Sequence, residues 1–186
     1  MSKELDQCPD YRRIPVFNLT LEEINALTLI GLAAFGDSIG DSLVHAWSNK
    51  KDQTVHLCIG DKGGGFLIVD NTYASNGLFY IELVAVHPPT RGLGTVLHEI
   101  AFESIIESGR GTKTILVITQ NPAEMMAFKK AANKLGQTCF PFDRPMNINE
   151  RGGVNAWLST GPVKDFGPRP EVNLDLGIFY NFFRNW

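Results

Sequence analysis

Leu83-Val-Ala-Val-His-Pro-Pro-Thr-Arg-Gly-Leu-Gly-Thr-Val-Leu97 decides the reading of this chain. Leu83 to Val86 read as the end of a largely apolar strand that starts at Leu78, as a central strand buried on both faces should be. Pro88 and Pro89 stiffen a turn, Arg91-Gly-Leu-Gly94 makes a glycine-rich corner, and an amphipathic helix opens at Arg91 or Gly92. Val96, Leu97, Ile100, Ala101 and Ile105 give that helix a core stripe, and Ser108-Gly109 marks its end. Such a corner aims unpaired amides and the positive end of a helix dipole at open space, which suits an anion, most often a phosphate. It is not a Walker loop, because no Gly-Lys-Ser/Thr follows, nor a dinucleotide fingerprint, because the third glycine is missing. Arg91 would add a charge-assisted contact to a pyrophosphate. The plain alternative is a tight strand-to-helix turn that holds nothing.

Working outward, Ile14 to Leu19 reads as a first strand after a loose polar lead-in over residues 1–12. Thr20-Leu-Glu-Glu23 is a capping box that opens a helix to about Phe35, and Asp37 to Trp47 reads as a second, short helix. Thr54–Ile59 and Phe66–Val69 form a hairpin around a turn at Asp61-Lys-Gly-Gly-Gly65. Thr114–Ile118 is a strand, and Asn121-Pro-Ala-Glu124 combines N-cap, N1 proline and N3 glutamate at the start of a further helix. That helix carries Met125, Phe128, Ala132 and Leu135 on its apolar side and ends at Gly136, and residues 138–142 and 154–158 are short strands. Early hairpins followed by strand–helix alternation predict an α/β (α+β) fold: a mixed, mostly antiparallel central sheet with helices on both faces. One domain over 1–160 is expected. The Pro- and Gly-rich segment 161–186, ending in the aromatic run Phe179 to Trp186, is expected to pack on that domain or on a partner, a homodimer included.

Composition sets outer bounds. With 186 residues, 44% hydrophobic and 20% charged, the chain suits an ordinary globular core. A net charge of −3 gives no basic field for nucleic acid. No apolar run nears the ~18 residues of a membrane span, and the charged N-terminus lacks a secretory apolar region. Cys8, Cys58 and Cys139 are sparse and odd in number, which reads as unpaired thiols in a reducing, cytoplasmic compartment. His56 and Cys58 share a strand face without further ligands, so no metal site is expected.

Val86-His-Pro-Pro-Thr-Arg-Gly-Leu-Gly94 resembles the acetyl-CoA signature of the GCN5-related N-acetyltransferases (GNAT), a strand ending in Val-x-Pro followed by Arg/Gln-x-x-Gly-x-Gly/Ala opening a helix. The resemblance implies that Arg91, Gly92, Leu93, Gly94, Thr95 and Val96 cradle the CoA pyrophosphate and that Ala85 and Val86 line the thioester arm. Val96 departs from the pattern, standing where Gly or Ala is usual. The family often has an Asn at the start of the next helix and a Tyr seven residues on. Asn121 fits, as a pantetheine contact or as a plain N-cap, and position 128 is Phe. Phe128 then occupies the place of the presumed acid for the leaving thiolate, which a phenyl ring cannot replace.

For the base, Glu82 is placed on the strand face of Tyr80, Val84 and Val86, where burial would raise its pKa towards neutrality. His87, at the end of the same strand, is its rival. His98 is expected to face solvent or a neighbouring helix, and Glu99, Glu103 and Glu107 a solvated face. Lys129 and Lys130 either approach the CoA 3'-phosphate or lie on an exposed face. The resemblance implies an acyl-CoA-dependent N-acyltransferase that passes acetyl from acetyl-CoA directly to a small-molecule or peptide amine. The alternative is an inactive module of the same fold that binds CoA or a protein.

Overall fold

Residues 8, 10–36, 52–60, 63–87, 92–109, 113–119, 122–141 and 154–159 are described by the structure, a computed structural model. In chain order the elements are β1 (Asp10–Pro15), α1 (Leu21–Phe35), β2 (Gln53–Gly60), β3 (Gly63–Asp70), β4 (Leu78–His87), α2 (Leu93–Glu107), β5 (Thr114–Thr119), α3 (Pro122–Lys134), β6 (Thr138–Pro141) and β7 (Val154–Ser159). They build one sheet ordered β1-β2-β3-β4-β5-β7-β6. Only β4 and β5 pair in parallel; the remaining neighbours are antiparallel. The mixed, mostly antiparallel sheet expected from the sequence is therefore present.

Strand alternation divides the core in two. Val55, Leu57, Phe66, Ile68 and Ala85 lie with Leu27 of α1 on one face. Cys58, Leu67, Val69, Phe79, Ile81, Ile115 and Val117 lie on the other, under Leu97, Ala101 and Phe102 of α2 and Phe128 of α3. Helices thus cover both faces, as expected. The α1 capping box is closed: Thr20 Oγ1 accepts from the Glu23 amide at 3.3 Å, and Glu23 Oε2 accepts from the Thr20 amide at 2.8 Å.

Three expectations are corrected. The first strand starts at Asp10 rather than Ile14, and Val16–Asn18 form a short 3-10 turn. The polar Asp10-Tyr-Arg-Arg13 segment serves well as a strand because β1 is an edge, where charged side chains stay solvated. Second, Cys8 and Cys58 are joined in a disulfide, so they are not unpaired thiols. Their Cα atoms lie 5.6 Å apart although 50 residues separate them in the chain, a proximity of which sequence spacing gives no hint. The cytoplasmic reading loses the support it drew from unpaired thiols.

Third, Gly63, Gly64 and Gly65 belong to β3 rather than to the turn. Their missing side chains let helices approach from both faces. A Cβ on Gly64 would stand 3.0 Å from Ile30 Cδ1 of α1 and 2.8 Å from the Cys58 carbonyl oxygen. One on Gly65 would stand 3.0 Å from Leu97 Cδ1 of α2 and 2.9 Å from the Ala85 carbonyl oxygen. Backbone cannot step aside as a side-chain tip can. Gly65→Ala is expected to lower stability by about 1–3 kcal/mol, read as an earlier urea midpoint; an unchanged midpoint would show that sheet and helix yield freely. The expected helix over 37–47 and the 161–186 extension lie outside the described residues.

Candidate active site

The sheet opens at its centre. β4 and β5 pair from Leu78↔Thr114 to Ile81↔Val117. β4 then continues to His87 and β5 to Thr119, with no further pair among the described residues. On its other edge β4 stays bonded to β3 as far as Gly64↔His87. From Leu83 onward, therefore, one edge of a central strand pairs with no described strand and faces a fork. Unpaired backbone groups need partners, so this edge suits a ligand that itself carries amides.

The fork begins at an irregularity. Ile68 pairs with Leu83 and Val69 with Ile81, which leaves Glu82 as an extra residue in β4. The bulge resets the alternation. Leu83 and Ala85 belong to the α1-side core, whereas Val84 and Val86 pack on the α2 side. Placing Glu82 on the face of Val84 and Val86 is thus corrected, because strict alternation does not run through a bulge.

Glu82 is half-buried and accepts a hydrogen bond from the Gln53 amide. Gln53 is itself buried, and its Oε1 has no hydrogen-bond partner among the described residues. Asp70 stands opposite both Gln53 and Tyr80 across the sheet. The Tyr80 phenol is held above its ordinary range by burial first, then by the Glu82 and Asp70 carboxylates. His87 is exposed at the far end of the strand. At ~3.3 Å per residue it lies ~16 Å from Glu82, so the two candidate bases occupy different places.

Beyond the strand, Gly92 sits at the N-cap of α2 with φ 95°, a left-handed conformation that strains any other residue. Leu93, Gly94 and Thr95 form the first helical turn, whose amides lack intrahelical acceptors. The Val96 amide donates to the Gly92 carbonyl at 3.0 Å, and its side chain is buried. Val96 is thereby corrected: its amide is already used by the helix. A Cβ on Gly94 would meet only Ala127 Cβ at 3.7 Å and Val86 Cγ2 at 4.0 Å, so Gly94 lies between α3 and the fork strand. Of the residues read as lining the thioester arm, Val86 packs on the α2 side and the Ala85 side chain lies in the core beneath α1, so Ala85 can line the fork only through its backbone. Arg91 and Asn121 lie outside the described residues.

Phe128 is corrected as well. It is fully buried, with its ring edge-on to Phe102 at 5.0 Å and to His98 at 5.9 Å, so it fills the space between α2 and α3 rather than the fork. His98 does face a neighbouring helix. Its Nδ1 is 2.7 Å from the Gly94 carbonyl oxygen and its Nε2 is 3.0 Å from Glu124 Oε1 on α3. Glu99 is not solvated: it is buried and pairs with Lys134 at 2.6 Å, while Glu103 is half-buried and Glu107 exposed. His56 Nδ1 and the Tyr11 hydroxyl are hydrogen-bonded at 2.7 Å. Gln53 and the His98–Glu124 contact went unread in the sequence. Only His98 left a signal there, lying three and seven residues before the stripe residues Ala101 and Ile105.

Among solved structures the chain is similar to an acyl-CoA N-acyltransferase from Pseudomonas aeruginosa, at 16% identity and a TM-score of 0.55 over 82% of this chain and 99% of that one. A Bacillus subtilis acetyltransferase in complex with CoA shares 19% identity, with a TM-score of 0.51 over 80% and 98%. An aminoglycoside 6'-N-acetyltransferase from Enterococcus faecium shares 12%, with a TM-score of 0.53 over 81% and 95%. The chain has the GNAT fold. No protein-family model and no curated protein sequence matches it. At these identities the likeness is one of fold. Among the described residues no helix is long and apolar enough to cross a membrane.

Proposed function

We propose that this GNAT-fold chain is an acyl-CoA-dependent N-acyltransferase, passing acetyl from acetyl-CoA to an amine. The observation that carries it is a pair of surfaces at the fork: the edge of β4 from Leu83 to His87, beyond its last pair with β5 among the described residues, and the first-turn amides of Leu93, Gly94 and Thr95 at the head of α2, which lack intrahelical acceptors. The amides supply an anion site for the pyrophosphate, with Arg91 next to them in sequence. The strand edge supplies hydrogen bonds for the amide-bearing arm, which leads the thioester towards Glu82. The solved acyl-CoA N-acyltransferase and the acetyltransferase complexed with CoA point the same way.

In the proposed reaction Glu82, directly or through a water, takes a proton from the acceptor ammonium. The nitrogen lone pair then attacks the thioester carbon, β4 amides stabilise the oxyanion, the carbon–sulfur bond breaks as the oxyanion collapses, and the newly acylated nitrogen releases its second proton to water. The electron pair leaves on sulfur as a thiolate. Phe128 cannot protonate it, and a CoA thiol is acidic enough to leave unaided. Gln53 holds the carboxylate in place from beneath. The acceptor is a small-molecule or peptide amine; the Enterococcus faecium relative, by its name, acts on an aminoglycoside.

Calorimetry with acetyl-CoA tests the reading. The unmodified chain is expected to bind. Gly94→Ala should still bind, because a methyl fits, and Gly94→Trp should lose at least about tenfold in affinity by filling the gap between α3 and β4. Equal affinity in all three would remove the fork from the proposal. Binding without thiol release across an amine panel would favour the inactive module, the reading to which the buried Phe128 lends weight.

A further inference from the structure

The two helices that flank the fork are tied together just behind it by His98 and Glu124. His98 is fully buried on α2, one turn after Gly94, and Glu124 stands in the first turn of α3. The Gly94 carbonyl oxygen can only accept, so His98 Nδ1 carries a proton and donates at 2.7 Å. His98 Nε2 then confronts Glu124 Oε1 at 3.0 Å. These two buried atoms have no aligned hydrogen-bond partner, including one another. A carboxylate oxygen and an imidazole lone pair repel, so the contact is attractive only with a proton between them. Phe102 and Phe128 pack edge-on against the imidazole and hold the ring in this orientation.

We propose that His98 and Glu124 are a positioning pair that sets the spacing between the first turns of α2 and α3, and through it the affinity for acyl-CoA. The inference rests on the proposed acyl-CoA reading. Neither residue touches the reacting atoms. His98 acts through the Gly94 carbonyl, whose residue belongs to the anion-binding turn. Glu124 acts through the α3 turn that begins beside Asn121. A purely structural pair would affect folding and leave ligand affinity in the folded protein alone; a positioning pair moves affinity itself.

Replacing the carboxylate with an amide separates the two. In Glu124→Gln a side-chain N–H meets the Nε2 lone pair, and the link persists without a shared proton. In Glu124→Ala the link is lost, and His98→Phe keeps the ring packing while removing both polar contacts. With acetyl-CoA as the probe, calorimetry on folded protein should give Glu124→Gln within about twofold of the unmodified chain. Glu124→Ala and His98→Phe should each be weaker by about tenfold or more, a penalty typical of a sub-ångström to ångström misplacement. Thermal melting of each variant fixes the folded fraction. Should Glu124→Ala fail to fold, His98→Phe carries the test with an aromatic ring retained. Unmodified affinity in the loss variants, or a Glu124→Gln as weak as Glu124→Ala, would overturn the pair's role while leaving the acyl-CoA reading intact. No binding by the unmodified chain would overturn both.

Discussion

Glu82→Gln should lower kcat by about 10²- to 10³-fold, the usual contribution of a positioned general base, with acetyl-CoA affinity unchanged. The substitution is nearly isosteric. The Gln53 amide can still donate to the new side-chain oxygen, so the bulge and its hydrogen bond persist. What disappears is the ability to take a proton from an ammonium. The prediction separates Glu82 from His87, ~16 Å along the strand at ~3.3 Å per residue: His87→Gln should change kcat by less than about threefold, because the ring lies exposed at the rim. Thiol release with any amine that serves as acceptor reads both. A Glu82→Gln enzyme retaining full kcat would move the base elsewhere, and a His87→Gln enzyme losing 10²-fold would identify where.

The same carboxylate shows how far the sequence could be read. The strand Leu78–Val86 was visible from its apolar run, and the helix after it from its glycine corner and its stripe at helical spacing. Both are local signals written within a dozen residues. The orientation of Glu82 was not local: it depends on Val69 pairing with Ile81 while Ile68 pairs with Leu83. Counting by twos along β4 cannot detect an extra residue that only the neighbouring strand reveals. The Cys8–Cys58 bond and the role of the β3 glycines failed for the same reason. Gly63-Gly-Gly65 looks like a turn because glycines dominate turns, but here they are needed where Ile30 and Leu97 press from opposite faces. Val96 shows a subtler limit. Its place in the family pattern suggested a free amide, but as the fourth residue of a helix that starts at Leu93 it is the first whose amide has an intrahelical acceptor, the Gly92 carbonyl.

Acidification should destabilise the protein below pH ~6.5, with His56 as one identifiable cause. His56 is buried on β2, and its Nδ1 is hydrogen-bonded to the Tyr11 hydroxyl across the β1–β2 pairing. Burial, aided by the Arg13 charge, pushes its pKa down to about 3. In the unfolded chain the same imidazole titrates near ~6.5. Between these values the unfolded state binds a proton that the folded state refuses, so the stability of the fold falls as pH falls, by about 1.4 kcal/mol per unit. Across the window the loss approaches about 4–5 kcal/mol, a large part of the 5–15 kcal/mol typical of a domain. Once pH drops below about 3 the folded state binds the proton too and the contribution levels off. The Tyr11 phenol has the opposite sign: burial raises its pKa to about 12, so its contribution is complete below ~10 and is lost as pH climbs through about 12. Urea unfolding at half-unit steps from pH 7 to pH 5, a range in which few carboxylates titrate, reads the His56 effect directly. The unmodified chain should take up close to one more proton on unfolding than His56→Gln does. Equal slopes in the two proteins would mean that His56 accepts its proton without opening the β1–β2 edge.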